Sequence, residues 1–260
     1  MSKKYRYFKS KICFIISFIF LTGCGDNASK SDKSSTLILG TSADCQPFEY
    51  HDTSHGRDEI VGMDIDLARA LAKELGMILE IQDIDFAGLI PSLQSNRTDF
   101  VMALMTPTEE RAKSVSFSDI YFVNRIAIIT AKGKRIDQES QLAGKKIGAQ
   151  LGSTNEALGK DLAKKIKGLE IFSLNKLNEL IQEVRSNRID GVLTEEINAK
   201  AYVEANDDLN YELVKELETR FAIVFPKDSP WIEKFNVALK KLKADGTLEK
   251  IIHHWVKEKK

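Results

Sequence analysis

Residues 64–81 read DIDLARALAKELGMILEI, and the fold is decided there. Ile65, Leu67, Ala68, Leu71, Ala72 and Leu75 recur at the spacing of a helix with one buried face. Gly76 follows as its stop, because glycine closes a helix without a Cβ penalty. Residues 77–81 (MILEI) then predict a strand. Upstream, residues 37–40 (LILG) form a short buried strand; downstream, residues 89–94 continue a helix and 99–104 (DFVMAL) a further strand. The result is one βαβαβ unit, the signature of a largely parallel sheet.

The middle of the chain repeats this plan. Residues 145–149 predict a strand, 154–166 a helix, 169–172 a strand, 175–185 a helix and 191–193 a strand. Two similar halves are expected, each burying its own sheet. The β-rich runs 126–130 (IAIIT) and 221–225 (FAIVF) are placed as two crossings between them. Residues 232–243 predict an amphipathic helix, and a final helix ending near Trp255 would return the chain to the first half.

With 260 residues, 43% hydrophobic, the chain can bury two cores of ordinary size. Lys plus Arg and Asp plus Glu are both 38, which argues against a nucleic-acid-binding surface. Five of those basic residues (Lys3, Lys4, Arg6, Lys9, Lys11) precede any acid, and without them 33 face 38, a mildly acidic body. Cys13 and Cys24 lie in the leader, which leaves Cys45 alone and excludes a disulfide framework.

Residues 12–21 (ICFIISFIFL) are an apolar run of ten, matching a signal-peptide core and too short to span a bilayer. It closes on Leu21-Thr22-Gly23-Cys24, which resembles a bacterial lipobox with Cys24 as the acylated residue; an ordinary signal peptide with an incidental cysteine is the alternative. Acyl chains there would hold a soluble body at a membrane. Residues 25–35 (GDNASKSDKSS) are small and polar and read as a flexible tether.

Several ordered stretches resemble the bacterial extracellular solute-binding proteins of amino-acid ABC transporters (family 3, periplasmic binding protein type II). They are GTSADCQPFEY (40–50), VGMDIDLARALAKELG (61–76), DFAGLIPSLQSNRTDFVMALMTPTEERAKSVSFSDIYF (85–122), LAGKKIGAQLGSTNEA (142–157), NRIDGVL (187–193) and ALKKLKADGTLEKIIHHW (238–255). The resemblance implies two α/β lobes, each a three-layer αβα body, joined by two hinge strands and closing over one amino acid without chemistry. The expected division is a signal peptide at 1–23, a tether at 24–35, lobe 1 at 126 and before from 36, lobe 2 at 127–220, and a return segment at 221–260. The implied partners are a free L-amino acid, expected to have a neutral polar or moderately large side chain, and the permease subunits. A monomer is expected, anchored in the periplasm or at the cell surface, with no cofactor, metal or nucleic acid.

The resemblance also places the ligand contacts. A carboxylate favours arginine's fixed fork of donors, and Arg111 occupies that position. Thr106 matches a second donor to the same group, with a turn role as its alternative, and Thr108 could cap the following helix. Glu195 matches an acid that pairs with the ligand ammonium, with Glu196 as competitor; Leu104 matches a position whose carbonyl accepts from it. Thr154 stands at a helix start whose free amides suit an anion, or it simply caps that helix. Phe86 would cover the ligand's aliphatic stem. Cys45 stands where relatives carry an aromatic ring, so the cavity there is wider or differently shaped. Ser42 stands where relatives that bind basic amino acids have aspartate, which weakens the case for lysine or arginine unless Glu49 or Asp85 supplies the counter-charge. A dehydratase acting on a cyclic carboxylate through Glu195, or a ligand-sensing module, is the alternative function.

Overall fold

The computed structural model describes residues 36–257. The expected signal peptide, Cys24 and the tether lie outside them. In chain order the elements are β1 (Thr36–Thr41), β2 (Asp44–Cys45), β3 (Glu49–Asp52), β4 (Glu59–Val61), α1 (Met63–Glu74), β5 (Ile78–Asp83), α2 (Phe86–Gln94), β6 (Phe100–Val101) and α3 (Glu109–Ala112). The long strand β7 (Val115–Ala131) leads to β8 (Lys146–Gln150), α4 (Thr154–Ala163), β9 (Glu170–Leu174), α5 (Leu177–Arg185), β10 (Gly191–Glu195) and α6 (Glu196–Ala205). A second long strand, β11 (Leu209–Pro226), returns to α7 (Trp231–Ala244) and α8 (Thr247–Ile252).

The main sheet has eight strands in the order β5-β1-β6-β11-β7-β10-β8-β9. β1 runs parallel to β5 and β6, and β8 parallel to β9 and β10, as the two βαβαβ units require. A small antiparallel sheet, β2-β3-β4, flanks the first lobe. No helix among the described residues is long and apolar enough to cross a membrane.

Three expectations change in detail. The two lobes do not own separate sheets, because β7 and β11 pair along both. The runs expected to be the crossings flank the crossing instead. Residues 126–130 pair with β10 in the second lobe, while Phe221, Phe225 and their neighbours pair with the start of β7 in the first. The passage between lobes is Val123-Asn124-Arg125 against Arg220-Thr219-Glu218. Apolar runs mark where a strand enters a core, and the hinge is the polar stretch between two such runs. The strand expected over 99–104 is also shorter: after Val101 the chain leaves the ladder, and Leu104 takes a left-handed backbone, φ 51°.

One contiguous buried cluster joins Leu37, Leu39, Leu67, Leu71, Phe100 and Phe235 of the first lobe to Leu180, Ile181, Val184 and Val192 of the second. Phe235 of α7 packs 4.9 Å from Phe100 and 5.0 Å from Phe225, and Trp255 Nε1 donates to Asp66 Oδ2 on α1 at 2.8 Å.

Gly62 fixes where α1 begins. Its φ is 135°, and a Cβ there would lie 2.1 Å from the Phe48 carbonyl oxygen. That close approach lets Met63 N reach Pro47 O and Asp64 N reach Phe48 O, both at 3.0 Å, and carries Asp64 into the core. Gly62→Ala is expected to destabilise the protein by about 3 kcal/mol. A lower urea midpoint at unchanged m-value is the check; an unchanged midpoint would mean that the backbone approach constrains nothing.

Candidate functional site

A cavity of about 20 Å³ lies between the lobes. Cys45, Phe86 and Leu104 line it from the first lobe and Thr154, Asn155 and Glu195 from the second. That volume accommodates a water molecule and not an amino acid, so a larger guest enters only when the lobes part.

Arg111 and Thr106 are not among the residues lining this cavity; Arg111 lies beside it, against Phe86 and Gly152. Thr108 caps α3 by accepting from Arg111 N at 3.2 Å, as its position suggested. The guanidinium donates to Thr106 O at 2.8 Å and, across the cleft, to Gly152 O at 3.0 Å. Its central carbon lies 5.4 Å from the Phe86 ring centroid, within cation–π range. Burial lowers its pKa to about 10, which leaves it cationic at neutral pH. Beside it, the Thr106 hydroxyl oxygen is buried without a hydrogen-bond partner. Buried polar atoms are rarely left so, and this one adjoins the residue expected to bind a carboxylate.

In the second lobe the cap of α4 is Ser153, whose Oγ accepts from Glu156 N at 3.0 Å, and not Thr154. Glu156 Oε2 in turn takes Gly152 N at 2.9 Å. Thr154 is therefore released from capping and lines the cavity at the first helical position. Glu195 ends β10 and is 8% exposed. Its Oε1 accepts from Asn155 Nδ2 at 3.0 Å and its Oε2 from Thr194 Oγ1 at 3.4 Å. Burial raises its pKa, while those donors pull the other way. Its neighbour Glu196 turns outward to Arg125, with both contacts at 2.7 Å, so it no longer competes for the cavity.

Ser42 is not among the residues lining the cavity. It lies behind Asp44, donating to Asp44 Oδ1 at 3.0 Å. Asp44 itself escaped the sequence reading. Its Oδ2 accepts from Leu177 N at 2.6 Å and from Gln150 Nε2 at 3.0 Å, both in the second lobe. Its carbonyl receives the Tyr202 hydroxyl at 3.3 Å. A carboxylate seated at the N-terminus of α5 complements the positive end of that helix. Burial raises the Asp44 pKa, opposed by the Leu177 amide and by Lys176. No sequence signal marks this role, since the partners lie 106 to 158 residues away.

Other bonds cross the same gap. Asn175 Nδ2 donates to Asp85 Oδ2 at 2.9 Å, and Lys176 Nζ lies 3.3 Å from Asp83 and 3.4 Å from Asp85. Asp85, an expected counter-charge for a ligand, is thus engaged with the second lobe. Asn198 Nδ2 reaches Gln46 O at 3.0 Å. His51 is on β3 between Asp58 (2.7 Å) and Asp83 (3.2 Å).

Comparison with known proteins agrees with this geometry. The family profile "Bacterial extracellular solute-binding proteins, family 3" matches residues 37–258. The arginine-binding extracellular protein ArtP of Bacillus subtilis (strain 168) is 43% identical over 90% of this chain and 92% of its own. An ancestral arginine-binding protein bound to arginine superposes with a TM-score of 0.80 at 42% identity, covering 85% of this chain and 98% of that one. A crystal structure of the substrate-binding protein of an amino-acid ABC transporter gives 0.81 at 38%, covering 86% and 100%.

Asp44→Ala removes the acceptor of two bonds across the cleft and leaves the Leu177 amide without one. Ligand affinity is expected to fall about 10- to 100-fold, as for loss of hydrogen bonds to a charged group. Calorimetry checks this, and small-angle scattering of the saturated variant should show a more open particle than wild type.

Proposed function

Because the chain belongs to the bacterial extracellular solute-binding proteins of family 3, we propose that it captures a cationic L-amino acid, arginine foremost, for import. It is the substrate-binding component of an amino-acid ABC importer, and it works by binding and closure. Arg111 and Thr106 take the α-carboxylate from the first lobe, and Thr154 from the second. Leu104, through its carbonyl, and Glu195 take the ammonium group, and Phe86 covers the aliphatic stem. Closure is then what the permease reads. In this reading residues 36–126 and 221–260 form the first lobe and 127–220 the second. The protein acts as a monomer and carries out no chemistry.

The observation that carries this reading is the Arg111 guanidinium, held over Phe86 and reaching Gly152 across the cleft at 3.0 Å, beside a cavity that Glu195 lines. The preference for a cation rests on the acids at the cavity: Glu195 lines it with Cys45, and Asp44 Oδ1 lies 3.8 Å from the Cys45 sulfur. Burial raises the pKa of this thiol most, and Asp44, Glu49 and Glu195 each raise it further. Ser42 lacks the expected charge, yet Asp44 supplies one two residues later. The arginine-binding relatives point the same way.

A thermal-shift panel of the twenty amino acids tests the choice of ligand. At 100 times its dissociation constant a ligand stabilises by about 2.7 kcal/mol. A shift with arginine and none with glutamate is expected; a panel with no shift at all would overturn the binding reading. Arg111→Ala is expected to abolish binding by calorimetry while leaving the circular dichroism spectrum and cooperative melting intact. Unchanged affinity would remove the carboxylate assignment.

The anchor is a separate reading of the leader: Cys24, acylated after cleavage at Gly23, holds the body outside the cytoplasm on its tether. Cys24→Ser is expected to move the protein from the membrane pellet to the soluble fraction of the host. Retention in the pellet would exclude the lipid.

A further inference from the structure

Beneath Leu104 two carboxyl groups meet inside the first lobe. Glu49 on β3 is 1% exposed, and Asp64 in the first turn of α1 is fully buried. Asp64 N bonds to Phe48 O at 3.0 Å, so the chain brings the two carboxyls together, and they act on one another. Two ionised carboxylates cannot hydrogen-bond, because each only accepts. Glu49 Oε2 and Asp64 Oδ1 are both buried, and neither meets an N–H or O–H donor. A proton between them satisfies both oxygens.

The other oxygen of Asp64 faces the binding cleft. Oδ2 accepts from the Tyr121 hydroxyl at 2.6 Å and from Leu104 N at 3.4 Å. Leu104 has φ 51° and lines the cavity. A leucine holds a left-handed backbone only where its surroundings impose it.

We propose that Glu49 and Asp64 share one proton, and that this acid pair is the positioning group that holds Leu104 in the turn presenting its carbonyl to the ligand's ammonium group. The ammonium half of this statement rests on the amino-acid-binding reading above; the proton-sharing half does not.

The surroundings make the proton necessary. The groups acting on Glu49 are Asp64 from α1, Asp44 from β2 and Glu195 from β10, with Tyr121 of β7 and Cys45 of β2 bordering the same cluster. All are acids. Burial, then Asp64, Asp44 and Glu195, push Glu49 well above the usual carboxylate range. Burial also raises Asp64, to about 7, against the pull of Tyr121 and the Leu104 amide. These pKa values lie above those of the unfolded chain. The pair's contribution to stability is therefore complete below the ordinary carboxylate pKa and is lost as pH rises through the folded-state values. Losing the shared proton sets two buried anions side by side and frees Leu104.

The test begins with the ligand-free protein. Carboxyl carbon-13 shifts, assigned with Glu49→Gln and Asp64→Asn, should show one carboxyl of the pair still protonated above about pH 6, and the Leu104 amide shift should follow the same midpoint. In Glu49→Gln, whose amide still donates to Asp64 but cannot ionise, the Leu104 shift should be flat. Both carboxyls titrating below about pH 5.5 would overturn the proposal. A Leu104 amide indifferent to the pair would overturn its positioning part.

The second readout is L-arginine affinity. Wild type should weaken at least about threefold from about pH 6 to about pH 8.5, while Glu49→Gln changes little, an effect that a purely structural role would not produce. Equal slopes in the two proteins overturn the proposal. If none of the twenty amino acids binds wild type while the carboxyl titration behaves as stated, the binding reading fails and the shared proton stands.

Discussion

Everything in this molecule depends on the antiparallel pairing of β7 with β11. These are the two strands common to both lobes, 17 and 18 residues long, and their ladder runs from Val115–Pro226 at one end to Ala131–Leu209 at the other. Apolar side chains bury each end in a different lobe. Between them the polar pair Asn124 and Thr219 stand opposite one another, buried, with Asn124 Nδ2 and Thr219 Oγ1 unpartnered. The ladder slips between Leu213 and Glu218, on the second-lobe side of that pair. A pairing interrupted at its polar centre can bend there while its ends remain seated, which is the mechanical requirement for a cleft that opens.

The cleft opposite this hinge is held by polar groups, and most of their bonds run from lobe to lobe. Arg111 reaches Gly152, Asp44 meets Leu177 and Gln150, and Asp85 meets Asn175. Exposed ion pairs such as Lys176 with Asp83 contribute little individually. Buried charge-assisted bonds such as that of Asp44 to the Leu177 amide contribute more, and they also specify the geometry of closure. A guest larger than the cavity must part these bonds to enter.

Much of the site was legible locally. Thr108 followed by Glu109 and Glu110 announced a helix cap, and that cap presents Arg111. Phe86 and Glu195 each sit where a strand or loop gives way to a helix, and the family resemblance, not the local residue pattern, pointed to them. The cap of α4 was misplaced by one residue because Ser153 and Thr154 are both good cap residues and only backbone geometry separates them. Glu195 could not be told from Glu196, since one ends the strand facing the cavity and the other begins the helix facing Arg125. Asp44, Gln150 and Asn155 gave no signal, because a side chain whose partners lie far along the chain, 40 residues for Asn155 and 106 or more across the cleft for Asp44, looks like any other polar residue.

The amino-acid sequence by itself displayed most of the secondary structure, the repetition of the βαβαβ plan and the cap at Thr108. All of these depend on periodicity or on neighbours within a few residues, which a linear chain displays. Tertiary structure alone decided that both halves share one sheet, that Asp44 is seated on the start of α5, and that Glu49 and Asp64 come together beneath Leu104. Those outcomes depend on burial: removal from water makes an unpaired carboxyl costly enough to dictate its partner, and the degree of burial exists only once the chain has folded.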